Sequence, residues 1–238
     1  MLHDPIRIRR ARERGHRDRG WLDAWFTFSF ADYHDPGYMG FRVLRVLNED
    51  VIAPGRGFGP HAHRDMEILT YVLEGRLLHR DSMGEERTLG PNEVQTMSAG
   101  TGIVHSEFNA SRTKPVHSVQ IWIEPSSEDL EPSYQQIAFS PEEKRGRLRL
   151  LAGPGDDPRA PATRLNQDAR VFVAGLGAGG QVRAAVGPGR HVWLQVLRGQ
   201  VALDRETLAA GDGAALSGRD EVRVEGVDDG EILLFDLP

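Results

Sequence analysis

The sequence predicts an all-β protein built from two tandem barrels. Three observations carry this expectation. Fourteen prolines and 27 glycines are spread along the 238 residues and punctuate short apolar runs, as in sandwiches and barrels. Helical periodicity is weak throughout. Finally, TYVLEGRLLHRDSMGEERTLGPNEV around Leu73 resembles LQVLRGQVALDRETLAAGDGA around Leu197. Each has an apolar strand, a glycine turn (Gly75, Gly199), a second strand and a turn into a third, as a duplicated unit would.

Along the chain, strands are expected at Phe41–Asn48, Glu67–Leu73, Arg76–Arg80, Glu93–Met97, Val116–Ile123, Leu148–Leu151, Val171–Gly175, His191–Val196, Val201–Asp204 and Glu231–Asp236. Between Glu124 and Arg147 the character changes, with Pro125, Pro132 and Pro141 set among charges and serines. This stretch reads as a linker, dividing the chain into domains at 1–135 and 136–238.

Composition removes several function classes. A hydrophobic content of 39% with 27% charged residues suits a soluble globular protein, and no apolar run approaches the ~20 residues of a membrane span. With no cysteine, neither a disulfide framework nor a thiolate metal site is possible, leaving His and carboxylate as the strong ligands. The net charge of -6 disfavours nucleic-acid binding, which needs a basic surface. Arg7, Arg9, Arg10, Arg12, Arg14, Arg17 and Arg19 read as a solvated arm. The opening residues lack the apolar core of a signal peptide, so a cytoplasmic monomer is expected.

One constellation carries chemistry. His61-Ala62-His63 places two imidazoles two residues apart, which on a strand points both to one face. His105-Ser106-Glu107 repeats the spacing with a carboxylate. Brought together, the pairs offer three neutral nitrogens and one anionic oxygen, a set suited to Fe, Mn, Ni, Cu or Zn with a coordination position left open. His3, His16, His34, His79, His117 and His191 read as ordinary histidines. Phe58, Met97, Phe108 and Trp122 are candidate pocket lining. Aligning the two copies on their glycine turns puts Ala185 and Gly187 where His61 and His63 stand, so the second copy should bind no metal.

These residues also resemble known motifs. Gly55-x5-His61-x-His63-x3-Glu67 followed by Gly75 resembles the first cupin motif, and Gly102-x2-His105-x3-Asn109 the second. The departures are a gap from Glu67 to Gly75 one residue longer than usual, and Gly100 where the motif commonly has Pro. More specifically, GHRDRGWLDAWFTFSFADYHDP, HRDMEILTYVLEG, RDSMG, MSAGTGIVHSEFN, QIWIEP and the terminal ILLFDLP resemble the pirin family of bicupins in its bacterial quercetinase-like branch.

The resemblance implies two cupin (double-stranded β-helix) barrels, with one divalent metal in the first and a degenerate second. Iron comes first, with Mn, Co, Ni, Cu or Zn as alternatives. It favours Glu107 over Glu67 as the carboxylate ligand. It implies quercetin 2,3-dioxygenase activity, opening a flavonol ring with O₂ and releasing carbon monoxide, with Glu107 as the base that takes the 3-hydroxyl proton. Two other readings use the same ligands without turnover: a pirin-like regulatory, redox-sensing protein, and a barrel that stores or senses metal.

Overall fold

The computed structural model describes residues 6–159 and 162–238. They form two compact units: Gly15–Phe139 with Thr163–Gln167, and the residues up to Arg14 with Ser140–Ala162 and Asp168–Pro238. In chain order the strands are β1 (Arg7–Arg9), β2 (Gly15–Asp18), β3 (Leu22–Phe26), β4 (Leu44–Ile52), β5 (Gly57–His63), β6 (Glu67–Glu74), β7 (Leu77–Asp81), β8 (Glu86–Leu89), β9 (Glu93–Ser98), β10 (Ile103–Asn109), β11 (Val116–Ile123), β12 (Ser133–Ala138), β13 (Arg149–Pro154), β14 (Thr163–Leu165), β15 (Arg170–Leu176), β16 (Gln181–Ala185), β17 (His191–Arg198), β18 (Gln200–Leu203), β19 (Glu206–Ala209), β20 (Gly213–Leu216), β21 (Glu221–Gly226) and β22 (Gly230–Leu237).

In the histidine-bearing unit one sheet runs β12-β9-β6-β11-β4-β3-β2 and the other β5-β10-β7-β8. Leu22, Phe26, Ile52 and Val72 of the first sheet pack in one buried cluster with Leu77 and Leu89 of the second, so the sheets close face to face. The other unit repeats the order of the first six strands with β1-β20-β17-β22-β15-β13, and that of the four-stranded sheet with β16-β21-β18-β19. The turn glycines repeat as well. Gly75 (φ 79) joins β6 to β7 and Gly199 (φ 66) joins β17 to β18. An added Cβ would meet a backbone oxygen at 2.5 Å in the first case and 2.3 Å in the second, so both hairpins require glycine. The expected duplicated all-β fold is what the chain adopts.

Three expectations need correction. The stretch 124–147 is more than a linker: it contains β12, paired with β9, and a helical turn at Pro141–Lys144 begun by Ser140 and Glu143. The cut between units falls after Phe139 rather than at 135/136. β12 lies at the end of its sheet and is only half-buried, so it carries no apolar alternation to read. The arginine-rich start is not wholly a solvated arm. Arg7–Arg9 pairs with Gly213–Ala215 of β20, and Arg10 reaches Asp212 at 2.9 Å and Glu206 at 3.0 Å. The open edge of β20 supplies backbone partners for β1, which places residues up to Arg14 with the second unit, not the first.

The expected strand Phe41–Asn48 is in fact Leu44–Ile52. Glu49 and Asp50 break the apolar run, although the pleat turns Glu49 outward and Asp50 inward.

Gly100 has φ 43, and an added Cβ would lie 1.9 Å from the Leu130 carbonyl oxygen. Proline, locked at negative φ, does not fit there. The substitution Gly100→Pro is therefore expected to lower the midpoint of thermal unfolding by about 5–10 °C, measurable by calorimetry.

Candidate metal centre

The site is assembled by register. β10 lies between β5 and β7, pairing His105 with His61 on one side and with Asp81 on the other, while Glu107 stands opposite His79. Strand alternation then puts His61, His63, His105, Glu107, His79 and Asp81 on one sheet face. Between His105 and Glu107 the β5 register shifts, so that Glu107 meets Phe58. The extra β5 residue lies at Gly59-Pro60, a bulge that accommodates proline's missing N–H.

Three ring nitrogens converge. His105 Nε2 lies 3.0 Å from His63 Nε2 and 3.0 Å from His61 Nε2. The other nitrogens set the tautomers. His61 Nδ1 donates to the Gly59 carbonyl at 2.8 Å. Asp81 Oδ2 accepts from His79 Nε2 at 2.9 Å, leaving His79 Nδ1 to face His105 Nδ1 at 3.5 Å. Asp81 is itself fixed, because its Oδ1 accepts from the backbone N–H groups of Met83 and Glu85. The Nε2 lone pairs of His61 and His105 therefore point at one another. Such lone pairs repel unless a cation lies between them, and a separation of 3.0 Å matches neighbouring nitrogens at right angles around an ion with bonds of about 2.1 Å. The donor set fits a divalent metal.

Electrostatics agree with this. Burial, followed by the neighbouring imidazoles, pushes His63 down to about 4 and His105 down to about 3, so both are neutral at pH 7 with lone pairs available. His63 is also packed edge-on against Trp122, ring centroids 4.9 Å apart.

Glu107 is buried and held by three donors. Its Oε1 accepts from Thr70 Oγ1 at 3.3 Å and Gln95 Nε2 at 3.2 Å, and its Oε2 accepts from Gln120 Nε2 at 2.7 Å. Trp122 donates to Gln120 Oε1 and Tyr134 to Gln95 Oε1, which obliges both amides to turn their NH₂ groups toward Glu107. Ligand atoms of His61, His63 and His105 lie within 4.8 Å of one another, and so do those of His79, His105 and Glu107. His105 belongs to both sets. Glu67 belongs to neither: it accepts from Ser98 Oγ and from Asn166, tying Thr163–Gln167 to its unit.

His61 and His63 open onto a cavity of ≈ 440 Å³, walled by Trp21, Phe26, Phe30, Phe58 and Trp122, with Arg17, Arg19, Asp32, Asn48, Asp50, Glu107 and Gln120 as polar lining. Phe58 and Trp122 are where the sequence reading put them. Met97 is instead fully buried, in a separate cluster with Ile68, and Phe108 points to solvent. Burial, followed by the charges of Glu107, Glu49 and Asp23, raises Asp50 to about 7.

Sequence reasoning treated His79 as ordinary and overlooked Asp81, Thr70, Gln95, Gln120, Asn48 and Asp50. His16, His117 and His191 do have side-chain partners in Asp23, Glu49 and Ser217; His3 lies outside the described residues. His79 differs, being wholly buried behind His105. A signal existed in the alternation Leu77, His79, Asp81, where every second residue faces inward.

In the second barrel the equivalent positions are filled with hydrocarbon. β21 pairs with β18 as β10 does with β7, which sets Val224 and Val222 where Glu107 and His105 stand, and Leu203 where His79 stands. These join a buried aliphatic cluster. Among the described residues of this unit no group of metal-capable side chains occurs.

Two barrels of repeated topology, one with an imidazole centre at a cavity and one with a closed aliphatic interior, define a bicupin. Residues 7–123 match the Pirin family and residues 151–237 the quercetinase C-terminal cupin domain. The Quercetin 2,3-dioxygenase of Escherichia coli K12 is 44% identical over 98% of this chain and 99% of its own. The crystal structure of YhhW from E. coli superposes with a TM-score of 0.93 at 44% identity, covering 98% of each chain. A second structure, bacterial pirin YhhW in complex with nickel(II), gives 0.92, covering 98% of this chain and 99% of that one. The chain belongs to the pirin family and is quercetin 2,3-dioxygenase-like.

Two predictions follow from this geometry. Replacing His79 by Asn removes the group behind His105 and is expected to weaken metal affinity about 10–100-fold, read by competition with a chromophoric chelator. In metal-free protein, between about pH 4 and 7, Asp50 holds a proton that the unfolded chain has released. Its contribution to stability is therefore lost as pH rises through 7. Asp50→Asn should raise the thermal midpoint by several degrees at pH 8, and by less at pH 5.

Proposed function

We propose that this chain is a metal-dependent dioxygenase that opens the central ring of a flavonol with O₂ and releases carbon monoxide. The observation that carries the reading is the convergence of His61, His63 and His105, with His61, His63 and Glu107 lining an aromatic-walled cavity. A storage or regulatory site needs no such chamber, whereas a flat polyphenol fits its volume and walls. No helix among the described residues is long and apolar enough to cross a membrane; cytoplasmic residence and a monomeric state are part of the proposal.

In this reading His61, His63 and His105 hold one divalent ion, iron in first place, with Glu107 as a further ligand or as base. When bound, the ion lowers the pKa of a coordinated hydroxyl and gathers developing negative charge. Glu107 receives the 3-hydroxyl proton on a carboxylate oxygen. Gln95, Thr70 and Gln120 hold that carboxylate at a fixed tilt, so proton transfer needs no side-chain search. Phe30, set edge-on against Trp122 at 5.4 Å, and Phe58, edge-on against Trp21 at 5.6 Å, offer flat faces to the substrate and displace water from it.

Incubating metal-loaded protein with quercetin in air should deplete flavonol absorbance and release carbon monoxide. Absence of turnover with each of Fe, Mn, Co, Ni and Cu would refute the assignment. With metal content retained, Glu107→Gln is expected to lower kcat by about 10²–10⁴-fold; undiminished activity would show that its carboxylate is not the base.

A further inference from the structure

The inward face of β4 reads Leu44, Val46, Asn48, Asp50, Ile52, all of them buried. Two polar residues in succession interrupt a hydrocarbon row, and both line the cavity. Asn48 is 2% exposed and its side-chain oxygen is buried with no hydrogen-bond partner. Asp50 is 7% exposed, and the groups that act on it are carboxylates, Glu107, Glu49 and Asp23, which repel it. Folded proteins seldom leave buried polar groups unpaired, because each forfeits its hydration. In the neighbouring strand Gln120, opposite Asn48 in the register, is committed to Glu107 and Trp122, and Ser118 stands opposite Asp50.

We infer that Asn48 and Asp50 form a second recognition subsite that selects substrates carrying hydroxyl groups beyond the one presented to the three histidines. This rests on the flavonol reading above and specifies the substrate class as polyhydroxylated planar aromatics. A hydroxyl suits both partners. It donates to the Asp50 carboxylate and either donates to or accepts from the Asn48 amide, while the carbon skeleton lies against Trp21, Phe26, Phe30, Phe58 and Trp122. The two residues stand two apart on one strand face, roughly 7 Å along it, so they meet hydroxyls at different positions on the ring system. A site built to pair with a hydroxyl rejects the analogue lacking it, because its own polar groups are then left stranded.

The test compares quercetin with 3-hydroxyflavone, which has the chelating hydroxyl and no others. Affinities are measured by anaerobic titration of the metal-loaded protein, so that turnover is not required. Wild-type protein is expected to bind quercetin at least tenfold more tightly. Asn48→Leu and Asp50→Leu, with metal content checked, should each reduce that preference about tenfold, and Asp50→Asn, which keeps a hydrogen-bonding group, should preserve most of it. The inference is overturned if wild type shows no preference or binds neither compound, or if the Leu variants keep the preference in full. A wild type without preference overturns the inference even where a variant fails to fold, and Asp50→Asn beside Asp50→Leu assigns a preference to this strand. Preference in binding without turnover in air would sink the dioxygenase proposal and leave the subsite standing.

Discussion

The first barrel is organised around a repulsion. Imidazole nitrogens of His61 and His105 face each other across 3.0 Å, an arrangement that a cation between them would relieve. The surrounding features follow from holding it. The bulge at Gly59-Pro60 lets Glu107 slip to Phe58, Asp81 is locked by two turn amides so that His79 can face His105, and paired amides aim Glu107. The lone pairs are held in place by the covalent frame and a shell of hydrogen bonds, so the strain is spread over many residues that never touch the point of convergence.

The two barrels make an internal comparison. Strand order, hairpin glycines and register are common to both, so none of these depends on the metal-capable residues. Replacing His105, Glu107 and His79 by Val222, Val224 and Leu203 turns a chamber into a core. The positions of the second barrel that match the site are held by hydrophobic burial, while the first keeps polar groups there, each needing a partner. The twin thus shows what the fold needs for stability and, by subtraction, what the first copy carries beyond that.

Legibility in the sequence divided along the same line. The barrels, the duplication and the meeting of His61, His63 and His105 were readable, because alternation and two-residue spacing act within a single strand. What escaped depended on partners from other strands. His79 looked ordinary until β7 was placed against β10, and Gln95 and Gln120 are unremarkable polar residues on β9 and β11 until their amides meet at Glu107. Asp50 misled outright: with Glu49 it ended the expected strand early, although Asp50 lies on the cavity face of that strand. β12 and β1 were missed because strands at the end of a sheet need no apolar row. A polar residue inside a strand announces either an outer face or a functional inner one, and only the fold distinguishes them.

The pairing of β1 with β20 bears on how the molecule comes into being. Arg10 and Asp212, hydrogen-bonded to each other, are 202 residues apart in the chain, so the second barrel cannot finish its edge until nearly all of the described polypeptide has been made. The histidine-bearing barrel asks far less, since only Thr163–Gln167 lies outside its continuous run. During synthesis the barrel with the cavity is thus positioned to close early. Its twin, bound by entropy to gather both ends of the chain, closes late.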